Sequence, residues 1–187
     1  MFKPDPVPDD LVFKVVEAGI RAPTAGGREQ WFFVVVKNPE KRSAIHKLLL
    51  EAHRIYATQA LKEPMPPEKV EKWMDKIERG MYMAPVYIAA YVDLRERFHR
   101  DEYTDFEKTM AMQSVAAAVE NMLLAAHALD LGAVWLGVPL LIRDKFDEVI
   151  QPPPGCELQA IIALGYPAER PEPRARRKGV LGVMRVI

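Results

Sequence analysis

The chain has 187 residues, 49% of them hydrophobic, which is enough for one domain with a substantial core. Lysine plus arginine equals aspartate plus glutamate at 26 each, so the formal net charge of zero argues against nucleic acid or an anionic membrane as partner. A single cysteine, Cys156, precludes an internal disulfide and indicates a reducing compartment. No apolar run reaches the roughly 18 residues of a membrane span. We therefore expect one soluble, cytoplasmic domain over residues 1–187.

Prolines divide the first half of the chain into helices and strands. Pro8-Asp9-Asp10 predicts the start of a helix that Pro23 ends. Six consecutive apolar residues, Trp31–Val36, predict a strand covered on both faces. A helix then begins at Asn38-Pro39 and runs to about residue 61. An amphipathic helix over about 68–79 and a buried strand over 85–92 complete this half.

The stretch Thr109–Gly137 reads as one long helix followed by a strand over 133–136. The helix is apolar around most of its circumference, apart from a polar stripe of Gln113, Glu120 and His127. Such a helix is buried, so we expect it to be the central post of the domain, the seam of a dimer, or both. A short helix over about 140–150 and a fourth buried strand over 158–164 follow.

Four buried strands among about six helices predict a sheet with helices on both sides. The arm from about 165 to 187 has a different composition: a stretch rich in proline, glutamate and arginine, then an apolar end over 180–187. An extended apolar tail is a liability unless it docks. We therefore expect the arm to reach a partner subunit.

The sequence lacks the GxGxxG, GxxxxGK[ST], GxSxG and HExxH patterns, which removes the simplest nucleotide, hydrolase and zinc assignments. Cys156 has no evident base nearby, which favours a structural role. His46 and His53 lie seven apart and are interpreted as a solvated helix face, and His99 as part of a surface charge cluster. His127 fits a hydrogen-bonded interior or interface position. No metal site is predicted.

Three segments carry weak signals for a ligand. The glycine pair in Pro23-Thr24-Ala25-Gly26-Gly27-Arg28 would let backbone N–H groups approach a ligand, or would serve a plain turn. Val134-Trp135-Leu136-Gly137 is a strand whose backbone could face a flat ligand, or an ordinary core strand. The basic run containing Arg174, Arg176 and Arg177 could bind a phosphate, or be a solvated tail.

Four segments in the same order resemble the nitroreductase family of flavin mononucleotide (FMN) enzymes, over essentially the whole chain. They are AGIRAPTAGGREQWFFVVV, APVYIAAYVD, QSVAAAVENMLLAAHALDLGAVWLG and LQAIIALGYPAERPEPRARRK. The resemblance implies an α+β fold, a three-layer sandwich with a central mixed sheet flanked by helices. It also implies an intertwined homodimer with an extended C-terminal arm and FMN in two interface clefts.

Site residues follow from the same resemblance. Pro23, Thr24 and Ala25, with Gly27, would border the flavin or its ribityl chain. Val134, Trp135, Leu136 and Gly137 would pass along the ring, with the Leu136 backbone N–H near flavin N5. Arg177, helped by Arg174 or Arg176, would meet the phosphate.

The chain departs from the family pattern at two places. Met1-Phe2-Lys3-Pro4 corresponds to the end of the family's basic Arg-Arg-Ser-x-Arg-x-Phe segment, and Gly27, Glu29 and Gln30 stand where the family has Asn, Gln and Pro. Charge-assisted phosphate contacts contribute about 1.5–3 kcal/mol each, so their loss predicts weaker flavin binding.

The predicted function is an FMN-dependent oxidoreductase. NADH or NADPH would reduce the flavin at N5, and a nitroaromatic, quinone or similar small-molecule acceptor would then take the electrons in a ping-pong cycle. The cofactor carries the reaction, so no acid–base residue is named. The alternatives are a flavin- or ligand-binding protein without turnover, or a related flavin reaction such as reductive dehalogenation or flavin destruction. Residues 55–82 are expected to form part of the cover of the cleft.

Overall fold

A four-stranded sheet in the order β1-β2-β4-β3 forms the middle layer of the protein. The computed structural model describes residues 1–169 and 177–187. The strands are β1 Trp31–Val36, β2 Val86–Asp93, β3 Gly132–Leu136 and β4 Cys156–Gly165. All three pairings in the described residues are antiparallel. The expected mixed sheet is therefore wrong for this part of the chain: β2 and β3 run in the same direction, but β4 lies between them and runs the opposite way.

In the described part of the chain, five α-helices surround the sheet, and local sequence signals explain their bounds. Asn38 caps the second helix, because its side chain accepts a hydrogen bond from the Lys41 N–H at 2.9 Å. The second helix continues as a short π-helix, Tyr56–Ala60. Pro66 lies between this π-helix and the third helix. The helices are α1 Asp9–Ile20, α2 Pro39–Ile55, α3 Pro67–Glu78, α4 Thr104–Ala128 and α5 Arg143–Ile150.

The alternation of side chains along β2 and β4 divides the core into two layers. Ile88 and Ile162 face α1 and α4, whereas Tyr87 and Ile161 face α2 and α5. The layers confirm the three-layer α+β sandwich. The α1–α4 contact is close: a Cβ on Gly19 would lie 2.4 Å from the Cε of Met122.

The expectation that β1 is covered on both faces is wrong, whereas burial of the rest of α4 at a dimer seam stays a prediction. β1 is an edge strand with only partial cover in its middle, and Val35 is exposed. The helix α4 buries only the side that faces α1 and the sheet. Its opposite side exposes Phe106, Met112 and Leu124 beside the predicted polar stripe. An apolar pattern cannot distinguish a surface covered by the same chain from one covered by another.

The two ends of the chain behave differently. The N-terminal segment pairs with the residues after β4: the Lys3 N–H donates to the Tyr166 carbonyl at 2.8 Å and the Ala168 N–H to the Met1 carbonyl at 2.9 Å. The C-terminal residues 180–187 expose their apolar side chains. Their docking on a partner stays a prediction. None of the described helices has the length and apolarity needed to cross a bilayer.

His46 and His53 are buried, so the predicted solvated histidine face is wrong. The segment after α3 covers them: His46 Nε2 lies 3.2 Å from the Met81 carbonyl, and the His53 ring stacks on Tyr82 at 4.9 Å. The Trp73 and His53 rings are nearly perpendicular, with their centroids 5.1 Å apart. Burial lowers the pKa of His53 from 6.5, although its hydrogen bond to the Leu49 carbonyl opposes the shift.

This lowered pKa predicts a loss of stability in mild acid. Neutral His53 contributes fully to the free energy of unfolding above pH 6.5, which is its pKa in the unfolded chain. This contribution is lost as the pH falls toward the lower pKa of the folded protein. The free energy of unfolding in urea should therefore fall between pH 7.5 and 5.5, and fall less in His53→Phe, which keeps a ring against Tyr82. His127→Gln, at an exposed histidine, should retain the wild-type fall. Equal falls in wild type and His53→Phe would contradict the prediction.

Candidate flavin site

The loop between α1 and β1, residues 23–30, makes a short 3₁₀ turn over Ala25–Gly27. Gly26 and Gly27 have φ values of 60° and 69°, a region that L side chains rarely adopt, so the predicted glycine pair is required by the backbone. A Cβ on Gly27 would meet nothing within 4 Å. The backbone at this position is therefore open to a ligand.

Ser114 of α4 attaches this loop to the core. Its hydroxyl oxygen accepts a hydrogen bond from the Ala25 N–H at 3.1 Å and donates to the Met110 carbonyl at 3.0 Å. Because Ser114 is buried, the contact has little competition from water. The predicted residues Pro23, Thr24, Ala25 and Gly27 are thus held together on one short segment.

A buried carboxylate, Glu107 near the start of α4, lies beneath the same loop. Its Oε1 accepts from Gln30 Nε2 at 2.8 Å and from the Phe98 N–H at 3.0 Å. Burial alone would raise the pKa of Glu107, but hydrogen bonds from Phe98, Gln30, His99 and Arg97 hold it below its usual value. The sequence interpretation missed this residue. Continuing the buried face of α4 back from Ser114 through Ala111 would have reached it.

A cavity of about 530 Å³ opens between the loop and the segment after β2. Residues 28–30, 93 and 95–98 line it. Asp93 pairs with Arg95, while the Arg28 guanidinium lies 5.0 Å from the centre of the Phe98 ring. The charged groups that line the cavity carry both signs, so this cavity has no net preference for an anion.

The second predicted segment lies on β3, at the other edge of the sheet. Trp135 is 41% exposed, whereas the Leu136 side chain is buried. Val134 packs against the core that α2 and α5 cover. Gly137 is exposed and a Cβ there would meet nothing within 4 Å. The main chain at the end of β3 is therefore accessible, and its contact with a flat ligand stays a prediction.

One chain does not bring these two segments together. Trp31 at the start of β1 and Leu136 at the end of β3 belong to opposite edge strands. Three strand spacings separate the edges, which is about 14 Å. A flat ring in van der Waals contact on both faces would hold its neighbours about 7 Å apart.

The predicted phosphate-binding arginines are only partly described. Arg177 is exposed, and Arg174 and Arg176 lie outside the described residues. Sequence reasoning missed a second cavity of about 350 Å³ where the N-terminal segment meets the start of β2. Lys3, Arg42 and Arg79 line it, and no carboxylate residue does. These three lie far apart in sequence, so no local pattern signals them.

The Ser114 contact predicts a measurable cost of its removal. Ser114→Ala leaves the Ala25 N–H without its protein acceptor, and we expect a loss of about 1 kcal/mol in the free energy of unfolding. Urea unfolding at fixed protein concentration measures it. Ser43→Ala, at an exposed position on α2, should change stability by less than about 0.5 kcal/mol. Equal effects of the two substitutions would remove Ser114 as the anchor of the loop.

Comparison with known proteins agrees with this architecture. A protein of Methanothermobacter thermautotrophicus, provisionally named NADH dehydrogenase/NAD(P)H nitroreductase, is 30% identical over 172 residues, which is 90% of this chain and 71% of that protein. The 5,6-dimethylbenzimidazole synthase of Rhodospirillum rubrum is 26% identical over 180 residues, 95% of this chain and 82% of that protein. A Desulfovibrio desulfuricans protein, provisionally called a nitroreductase and solved with FMN, has a TM-score of 0.69 at 25% identity, over 100% of this chain and 90% of that chain. Residues 1–166 match the model of the nitroreductase family, and the chain belongs to that family.

Proposed function

We propose that this protein is a homodimeric enzyme that uses NAD(P)H to reduce nitroaromatic, quinone or similar small acceptors on bound FMN, in a ping-pong cycle at flavin N5. Membership of the nitroreductase family supports FMN-dependent oxidoreduction. The FMN in the Desulfovibrio structure and the NADH and NAD(P)H in the name of the Methanothermobacter relative support the cofactor and the reductant. The acceptors, the ping-pong order and the dimer are the parts that experiment must test.

The residues present fit FMN. Gly27 and Gly137 leave main chain open to a flat group, and Trp135 offers an exposed aromatic surface beside the second of them. The cavity lined by Lys3, Arg42 and Arg79 supplies three cationic side chains and has no carboxylate residue in its lining, although Arg79 also pairs with Asp75 outside it, and this suits the anionic end of the cofactor. Arg177 is the described member of the basic run that the family resemblance assigns to the phosphate.

Two copies of the chain explain how both loop segments could serve one flavin. The 24–27 loop and Gly137 lie at opposite sheet edges in one copy, too far apart to flank a single ring. The exposed side of α4, with Phe106 and Leu124, and the exposed apolar residues of 180–187 provide surface for a partner to cover. A cleft at the junction would take one segment from each copy.

The chemistry divides between cofactor and protein. When bound, FMN accepts a hydride at N5 and passes electrons to a second substrate. The chain holds the cofactor through backbone groups at 24–27 and 134–137 and through cationic side chains. The backbone segments beside the flavin would limit the access of water to it. No side chain of the described residues is assigned a proton-transfer role.

The single observation that carries the proposal is the match to the nitroreductase family model over residues 1–166.

The test is the absorbance spectrum of the purified protein with and without added FMN, followed by steady-state kinetics. We expect a flavin spectrum that NADH or NADPH bleaches and that a nitroarene or quinone restores. Double-reciprocal plots at several acceptor concentrations should be parallel, because reductant leaves before acceptor binds. Failure of the protein to bind FMN would contradict the proposal. Intersecting double-reciprocal plots would contradict the ping-pong order. A sedimentation mass of one chain would contradict the shared cleft.

The cationic cavity can be tested at Arg79. Arg79→Gln removes a cation from the lining, and we expect the Kd for FMN to rise about tenfold, which corresponds to about 1.4 kcal/mol. Fluorescence quenching of FMN measures the Kd. Arg21→Gln is a matched control, because Arg21 is also an exposed arginine paired with an acid four residues earlier. A Kd unchanged in Arg79→Gln would assign the anionic end of FMN to other residues.

A second function is favoured by one relative, the 5,6-dimethylbenzimidazole synthase. That relationship supports a related flavin reaction on the same fold. Incubation with FMN and NAD(P)H in air, followed by chromatography for 5,6-dimethylbenzimidazole, separates the two. Formation of that product at a rate comparable to acceptor reduction would favour the second function.

A further inference from the structure

Glu107 on α4 binds both Gln30, which lies 77 residues earlier in the chain, and the nearby segment 97–99. Its Oε1 accepts from Gln30 Nε2 at 2.8 Å and from the Phe98 N–H at 3.0 Å. Its Oε2 accepts from Arg97 Nε at 3.3 Å and the His99 N–H at 3.4 Å. The carboxylate is 0% exposed. A single buried group on α4 therefore fixes both the end of the 23–30 loop and the segment 97–99.

The segment held by Glu107 also contacts the loop directly. A Cβ placed on Gly26 would lie 3.7 Å from the Phe98 ring, so the ring packs against that turn. The guanidinium of Arg28 lies over the same ring at 5.0 Å. Gln30 Nε2 makes a further, longer hydrogen bond of 3.4 Å to the Glu96 carbonyl. Through Gln30 and Phe98, the carboxylate acts on both sides of the glycine pair.

We propose that Glu107 is the positioning residue of this loop: its buried carboxylate sets the backbone of residues 24–30 in the shape that meets the flavin. The contact between the loop and the flavin rests on the proposed function, whereas the effect of Glu107 on the shape of the loop does not. Glu107 does not reach the outer surface of the loop, so it acts through Gln30 and Phe98. Ser114 anchors the loop at Ala25, and Glu107 determines the geometry from there to β1.

Only a carboxylate satisfies this arrangement. Four donors converge on the two oxygens, and an amide at the same place would have one oxygen and one NH₂ group. The NH₂ group would face two of those donors, leaving them unsatisfied in a buried site. Glu107→Gln is therefore nearly isosteric and yet should release the loop.

The experiment compares amide hydrogen exchange and FMN binding in wild type and Glu107→Gln. In the protein without FMN, we expect peptides covering 23–30 to exchange at least tenfold faster in the variant, with α2 peptides unchanged. The Kd for FMN, from fluorescence quenching, should rise at least tenfold. Glu102→Gln changes an exposed acid five residues earlier and should match wild type in both measurements.

The outcomes separate the positioning role from general stability. Faster exchange in every peptide alike would make Glu107 a structural residue only and overturn the proposal, as would loop exchange within threefold of wild type. If Glu107→Gln does not fold, Gln30→Met removes one donor and keeps the carboxylate. Loop exchange should then rise about threefold or more, and no rise overturns the proposal. Wild type that binds no FMN would refute the proposed function, and the exchange measurement would still decide whether Glu107 positions the loop.

Discussion

The packing of α4 against α1 and the sheet is the constraint on which the other features depend. Gly19 allows α1 to approach so closely that a methyl group there would overlap Met122. Ser114 and Glu107 lie on the same buried side of α4 and bind the loop that leaves α1. The packing of α1 against α4 therefore determines the position of the loop. A shift of either helix would move the open glycine backbone with it.

The architecture separates rigid from open parts. The two central strands are almost completely buried, and their side chains build both core layers. The open segments, by contrast, occur where strands β1 and β3 have only one neighbour. Binding sites carried on loops at the margin of a rigid sheet are common, because the sheet fixes their ends while their backbone stays accessible. Here the two margins are far apart, so each copy of the proposed homodimer would contribute one of them to a cleft.

Local signals predicted much of the fold. Trp31–Val36 was predicted to the residue, because an apolar run bounded by polar residues and proline is a short-range pattern. The end of α1 near Pro23 and the start of α2 at Asn38 could be predicted for the same reason. The order of the strands is not local, so the sequence could not show that β1 lies at an edge. His53 appeared solvated because only the packing of Tyr82 and Trp73 against it reveals its burial.

The candidate site divides in the same way. The glycine pair and the β3 segment carried recognisable patterns, and the family resemblance gave those patterns a role that stays a prediction. Glu107 and the cationic cavity were missed. Each depends on residues that meet only in the folded chain, such as Lys3 with Arg79, or Gln30 with Glu107. Charge and burial at such places become visible only with coordinates.

The place of β4 between β2 and β3 has a consequence for biosynthesis. Among the strands that the structure describes, this one, Cys156–Gly165, comes last in sequence, yet it occupies the middle of the sheet. During translation, β2 and β3 have no shared neighbour until β4 has left the ribosome. The apolar surfaces that β4 will cover stay exposed for that time, when nascent chains are most prone to aggregate. β4 thus completes the core only after the strands on both sides of it have been synthesised.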